Sequence, residues 1–397
     1  NNLGWFFILP PLMGLVVQPI VGYYSDRTWA PKLGGRRLPY LLLGMIVAVI
    51  VMLLLPNSGS FGFGYGSLAA LWFGAITVAF LDLSSNVAMQ PFKMMVGDMV
   101  NDDQKSYAYG IQSFLSNTGA VLAAIFPFLF TWFGVKNIAP KGVVPDSVKV
   151  AFYVGAALLV VTSLFTVFRV HEYDPATYAK YHGITEEDNK EGGNWFTLLK
   201  TAPKAFWTVT LVQFFCWFAF QYLWTYSAGA IAKNVWDTTN ATSAGYQAAG
   251  NWYGVLAAVQ SIAAVVWSYV LAKVPNKYHK LGYAGSLLLG AFGFISVFFI
   301  HDQWTLIISY ILVGIAWAGM NTYPLTIVTN ALSGKHMGTY LGLFNGSICL
   351  PQIVASLLSF ALFPLFGNSQ VNMFILGGIV LALGALSVGT IKETYAE

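Results

Sequence analysis

The sequence predicts an all-α membrane protein that crosses the bilayer many times, and three observations carry that prediction. Only 9% of the residues are charged and 57% are hydrophobic, whereas a soluble domain carries about 25% charged residues. A chain so depleted cannot cover a water-facing surface. Apolar runs of about 20 residues, the length that crosses a hydrocarbon core, recur from one end of the sequence to the other. Finally, 13 Trp, 21 Tyr and 30 Phe suit the aromatic belts of membrane interfaces, and 39 Gly suit helices that approach closely in lipid.

Taken in order, eleven spans lie at about 3–24, 38–56, 67–92, 107–134, 148–169, 205–232, 248–272, 281–300, 303–329, 338–366 and 370–391. The loops between them are short except at about 170–204, which carries His171, Glu172, Asp174 and the run Glu186-Glu187-Asp188. That segment reads as a solvated cytoplasmic linker (171–204) between an N-terminal bundle (1–170) and a C-terminal bundle (205–397). Eleven spans would leave Asn1 outside, and the chain starts almost directly in a helix without an initiating Met. A preceding helix is therefore expected, giving twelve in all.

Lys and Arg set the orientation. Placing the loop from Asp26 to Leu38 inside gathers most of the 20 basic residues on that side, among them Arg27, Arg36, Arg37, Lys93 and Lys105. Lys136, Lys141, Lys149 and Lys233 remain outside. The C-terminus is then cytoplasmic, and the expected location is the cell membrane. The halves also repeat. The loop after the first span corresponds to the short basic Lys273-Val274-Pro275-Asn276-Lys277, and the Gln90-Pro91 and Tyr323-Pro324 kinks fall in equivalent spans. Parallel repeats about an axis normal to the membrane are the architecture of the major facilitator superfamily. The expected fold is therefore two pseudo-symmetric helical bundles.

An acid at a helix end can cap the positive N-terminus of a neighbouring helix. Gly22-Tyr-Tyr-Ser-Asp26-Arg27 through Gly34-Gly-Arg36-Arg37 resembles that superfamily's signature between its second and third helices. The resemblance implies that Asp26, Arg27, Arg36 and Arg37 form a gate latch that holds the outward-facing state; plain positive-inside topology is the simpler alternative.

Three further blocks narrow the resemblance. Leu15-Val-Val-Gln18-Pro19 through Arg27, Asp82-Leu-Ser-Ser-Asn86 through Pro91, Lys93 and Asp98, and Asn345-Gly-Ser-Ile-Cys-Leu-Pro351-Gln352 are similar to segments of the plant sucrose transporters and their animal and bacterial relatives, in register over nearly the whole chain. The resemblance implies that Asp82 and Asn86 contact sugar and couple it to a proton. The chain departs from the plant pattern in two places. The region where the family has a basic partner for the Asp reads Lys105-Ser106, and Gly254-Val255 is followed by Leu256 rather than Arg.

The residues argue in the same direction. Asp82 is the acid expected deep in the hydrocarbon, where a charge costs about 2.5–3.5 kcal/mol on insertion scales. Burial penalises its charged form, which suits a group that takes up and releases a proton. Asn86 lies one turn along the same face. Asp98 is expected beyond the cytoplasmic end of its helix. Polar and aromatic residues within apolar helices are the candidates for holding a sugar: Gln112, Asn117, Gln213, Gln221, Gln260, Asn321, Tyr323, Asn345 and Gln352, with Trp217, Trp224, Trp252 and Trp317 for stacking. Helix–helix hydrogen bonds and interfacial belts are the alternative for each.

No nucleophile with its base, phosphate-binding loop or nucleotide motif occurs in the sequence, so an enzyme is not expected. Neither is a metal site or any cofactor: the five His are scattered, and Cys216 and Cys349 fall in apolar stretches. The expected partners are a small sugar, a co-transported proton and the lipid bilayer, with no nucleic acid, for a monomer that symports sucrose, maltose or a related glycoside. The competing readings are a sodium-coupled symporter and a transport-inactive sugar sensor.

Overall fold

The computed structural model describes residues 9–57, 68–136, 144, 146–184, 194–240, 243–332, 334 and 336–392. Helices dominate, as the apolar runs require: a chain in hydrocarbon must satisfy every backbone N–H and C=O internally. The first set is α1 (Leu9–Arg27), α2 (Leu38–Leu54), α3 (Leu68–Met99), α4 (Lys105–Trp132) and α5 (Asp146–Arg169). Two short helices follow, α6 (Pro175–His182) and α7 (Trp195–Thr201). The second set is α8 (Lys204–Trp236), α9 (Ala244–Leu271), α10 (His279–Ser296), α11 (Leu306–Ala331), α12 (Met337–Phe344), α13 (Gly346–Leu365) and α14 (Gln370–Ser387).

Among the described residues, eight stretches are long and apolar enough to cross a membrane on length and composition. The other expected spans, α1, α4 and α10, are not among these eight; they carry polar groups such as Gln18 and Asp26, Lys105 and Gln112, and His279 and Lys280. Their neighbours in the bundles cover these groups. The eleventh-helix region, expected as one span at 338–366, is one apolar stretch, Met337–Leu365, whose regular helix is interrupted only at Asn345, between α12 and α13.

Within the first set α2 packs on α3 and α5, and α1 on α3; within the second, α8 packs on α14, and α10 on α11 and α14. The main contacts between sets are α1 with α12 and α13, and α4 with α9; α4 also meets α11, and α3 meets α12. A repeat that makes α1 equivalent to α9 and α4 equivalent to α12–α13 exchanges the two main contacts. Small residues permit both crossings. A Cβ on Gly22 would sit 2.1 Å from the Gly338 carbonyl oxygen, and one on Gly110 would sit 2.5 Å from the Ala272 Cβ.

The segment after α5 is largely exposed along its described residues but is pinned at Glu172 and Tyr178. Glu172 is 8% exposed and accepts hydrogen bonds from the backbone N–H groups of Arg37 (2.8 Å) and Leu38 (3.0 Å) at the start of α2. Those are donors a helix N-terminus leaves unsatisfied. Asp174 caps α6 by accepting from Ala176 and Thr177 N–H. From α6, Tyr178 donates its hydroxyl toward Asp98 (3.1 Å) and Gly334 O (2.8 Å).

Candidate functional site

One face of α3 is partly polar. Asp82, Ser85, Asn86, Met89 and Lys93 recur at helical spacing on one side, and all line a cavity of about 430 Å³ between the two sets of spans. That size falls within the range of about 300–1,000 Å³ usual for small-molecule sites. The charged side chains lining it are Asp82 and Lys93, separated by about 16 Å along the helix at about 1.5 Å per residue. Asn86 is tied to Asp82: its Nδ2 donates to the Asp82 backbone oxygen (2.9 Å) and toward Asp82 Oδ2 (3.5 Å).

The remaining wall comes from both halves. Gly14 and Gln18 of α1, Gln112 and Asn117 of α4, Gln213 and Trp217 of α8, Trp317 and Asn321 of α11, and Asn345, Cys349 and Gln352 at α12–α13 all line it. Asn117 Oδ1 accepts from Trp317 Nε1 across the two sets (3.1 Å). Asn345 Nδ2 donates to Gly14 O and toward Cys349 Sγ, each at 3.2 Å. Trp217 and Trp317 meet edge to face with centroids 5.5 Å apart. Together they give planar amides and aromatic faces on opposing walls.

Five of the residues named as sugar-site candidates, Gln221, Trp224, Trp252, Gln260 and Tyr323, lie outside the cavity wall, through their height along the helix or their helical phase. Gln221 is two helical turns beyond Gln213 and donates to Ser356 Oγ (3.0 Å), while Trp224 is 41% exposed, further along the same helix. Tyr323 is two residues past Asn321, about 200° around the helix. It faces the interior of its own half beside His279 and Tyr283. Gln18, Lys93 and Cys349, by contrast, line the cavity although the sequence does not point to them as sugar ligands. Gln18 carries one signal, a polar residue just before a helix-interrupting Pro in an otherwise apolar run.

Below the cavity the two sets are locked on the arginine-loop side. Asp26 accepts from the N–H groups of Gly338 (2.9 Å) and Thr339 (2.8 Å) and from the Thr339 hydroxyl (2.8 Å), at the first turn of α12. Arg37, fully buried, donates to Asp26 Oδ1 (2.7 Å), Asp98 Oδ2 (2.9 Å) and Ser25 Oγ (2.5 Å). Arg36 pairs with Asp98 at 3.0 Å. Asp98 is therefore a buried member of the cluster inside α3, not a residue beyond the helix end. Arg27 stands outside it, with its guanidinium over the Tyr23 ring and bonded to Tyr23 O. Lys105 is buried but pairs with Asp102 (2.6 Å) and Thr329 O (3.3 Å), not with Asp82.

Comparison with known proteins matches this architecture. Sucrose transport protein SUC4 of Arabidopsis thaliana is 22% identical over 410 aligned residues, covering 95% of this chain and 80% of that protein. Sucrose transport protein SUT5 of Oryza sativa subsp. indica is 24% identical, covering 95% and 78%. Among solved structures, the transporter FucP in the outward conformation superposes with a TM-score of 0.75 at 11% identity, covering 99% of this chain and 91% of that one. The proton:xylose symporter XylE bound to 6-bromo-6-deoxy-D-glucose gives a TM-score of 0.70 at 12% identity, covering 98% and 86%. Residues 1–356 match the family pattern, and the chain, a multi-pass membrane protein, belongs to the Major Facilitator Superfamily.

Proposed function

We propose that this protein symports a small glycoside, such as sucrose or maltose, with a proton by alternating access. The observation that carries the reading is the shared cavity: Asp82 and Asn86 on α3 face amides and indoles from both halves. Sugars are held by such amides and stacked on such rings. Asp82 would carry the proton and Asn86 would join it to the sugar. Gln112, Asn117, Asn321, Asn345 and Gln352 hold the ligand between bundles 1–170 and 205–397, which rock about it. Asp26, Arg36 and Arg37 hold the arginine-loop side shut, and the C-terminus lies with them on the cytoplasmic side of the cell membrane. The cavity draws its lining from both halves of a single chain, and the working unit in this reading is a monomer. Similarity to sucrose transport proteins supports the substrate class.

The test is uptake of labelled sucrose and maltose into proteoliposomes under an imposed pH gradient and then a sodium gradient. Asp82→Asn is expected to abolish sugar-driven proton uptake while sparing sugar counterflow. Accumulation driven by sodium alone, or proton uptake unchanged in the variant, would refute the assignment.

A further inference from the structure

The hydrogen bonds around Asn86 run in one direction, and Gln18 stands at the far end. Asn86 commits its Nδ2 to Asp82, so its Oδ1 faces α1. Gln18 Nε2 donates to that oxygen at 2.5 Å. A primary amide has a donor end and an acceptor end, and spending the donor on Asn86 leaves Gln18 Oε1 for another partner. Among the described residues Oε1 has none, although the atom is buried and Gln18 is 1% exposed at the cavity wall. Buried acceptors are normally paired. Turning the amide over does not help, because it would set Oε1 against Asn86 Oδ1, two acceptors face to face.

The backbone holds this arrangement in place. Pro19 follows Gln18 inside α1, and α12 packs so closely that a Cβ on Gly342 would lie 2.6 Å from the Gln18 carbonyl oxygen. Lateral adjustment of Gln18 is therefore blocked while α1 and α12 are docked.

We infer that Gln18 is a positioning and ligand-selecting residue of the transport site: it fixes the orientation of Asn86 and offers its own Oε1 to a hydroxyl donor of the bound glycoside. The inference rests on the glycoside reading. An acceptor at this point accepts a ligand O–H and discriminates against hydrogen or fluorine in its place, since neither can donate.

The experiment is counterflow of labelled sucrose, or of maltose where uptake favours it, in proteoliposomes of the complete protein. Competing analogues each replace one hydroxyl by fluorine or hydrogen. Wild type is expected to bind the analogue altered at one particular position about 10-fold more weakly, the scale of one lost hydrogen bond to a buried acceptor. Gln18→Met should weaken the parent sugar by a similar factor and add no further loss for that analogue, whereas Gln18→Glu, assayed at acidic pH where its protonated carboxyl both donates to Asn86 and keeps an acceptor for the ligand, should preserve the discrimination. Equal weakening of every analogue in Gln18→Met, or loss of discrimination in Gln18→Glu, overturns the role of Gln18 with sugar transport intact. Where the Gln18→Met protein does not assemble, discrimination kept or lost in Gln18→Glu decides the matter alone. Absence of any exchange by wild type removes the glycoside reading and this inference with it.

Discussion

Gly22→Ala perturbs the closed side of the cavity without removing a polar side chain. At this crossing α1 meets α12, and the added Cβ would lie 2.1 Å from the Gly338 carbonyl oxygen. Carbon atoms prefer about 3.5–4.0 Å to a neighbour, and the obstruction is backbone on a helix that Asp26 already pins at its first turn. The methyl cannot be absorbed by a side-chain turn, so the helices must separate by an ångström or more. Overpacking of this kind costs about 1–3 kcal/mol. Because the clash exists only while α1 and α12 are docked, that cost falls on the closed arrangement and multiplies the ratio of undocked to docked molecules by about 5–150. Spin labels at Lys32→Cys and Lys277→Cys, both exposed and in equivalent loops of the two halves, read the separation once Cys349 is replaced by Ser. Gly250→Ala, where a Cβ meets nothing within 4 Å, is the control. A distance distribution in Gly22→Ala that superimposes on wild type would refute the close-approach argument.

Four further outcomes follow from the same geometry. Arg37→Gln strips Asp26 and Asp98 of their buried partner and is expected to lower stability by about 3–5 kcal/mol, read as a drop in thermal midpoint in detergent. Arg27→Gln, at the exposed edge, should stay within about 0.5 kcal/mol. Glu172→Gln addresses pH. Burial pushes the Glu172 carboxyl above its ordinary range, outweighing the bonds from Arg37 and Leu38 N–H that pull it down. A raised carboxyl contributes fully below its unfolded value of about 4.3 and loses that contribution as pH rises through its folded value. The neutral Gln still offers an acceptor, so the variant's advantage in thermal midpoint should grow from about pH 4 to neutrality; an advantage that shrinks over this range contradicts the assignment. Lastly, Cys349 lines the cavity whereas Cys216 is fully buried. A small methanethiosulfonate reagent should label Cys349 alone, and sucrose or maltose should slow that labelling; equal rates with and without sugar would count against a ligand site there.

Much of this is legible in the residues because hydrocarbon leaves the chain few options. The apolar runs form helices, and the Pro91 and Pro324 kinks fall in α3 and α11 as the repeat suggests. Asp82 and Asn86 are visible because a carboxylate and an amide at i, i+4 in an apolar span have no bland surface to occupy. Rotational phase is what the sequence does not reveal. A polar residue in a helix surrounded by protein can face a cavity or a neighbouring helix, which is why Asn321 lines the site while Tyr323, on the opposite face, does not. Glu172 escapes notice for a different reason. Its partners are backbone N–H groups at the start of α2, and backbone donors leave no trace in composition. Asp98 is expected too far out when charge is taken to mark the helix end, because two arginines from the preceding loop reach in to meet it.

The interruption at Asn345 divides labour along a single span. Its inner segment, α12, carries the N–H groups that Asp26 holds, while its outer segment, α13, carries Cys349 and Gln352 into the cavity. Under the alternating access proposed above, one span therefore touches both the closed floor and the ligand, as in a canal lock whose two gates hang from a single wall and never stand open together.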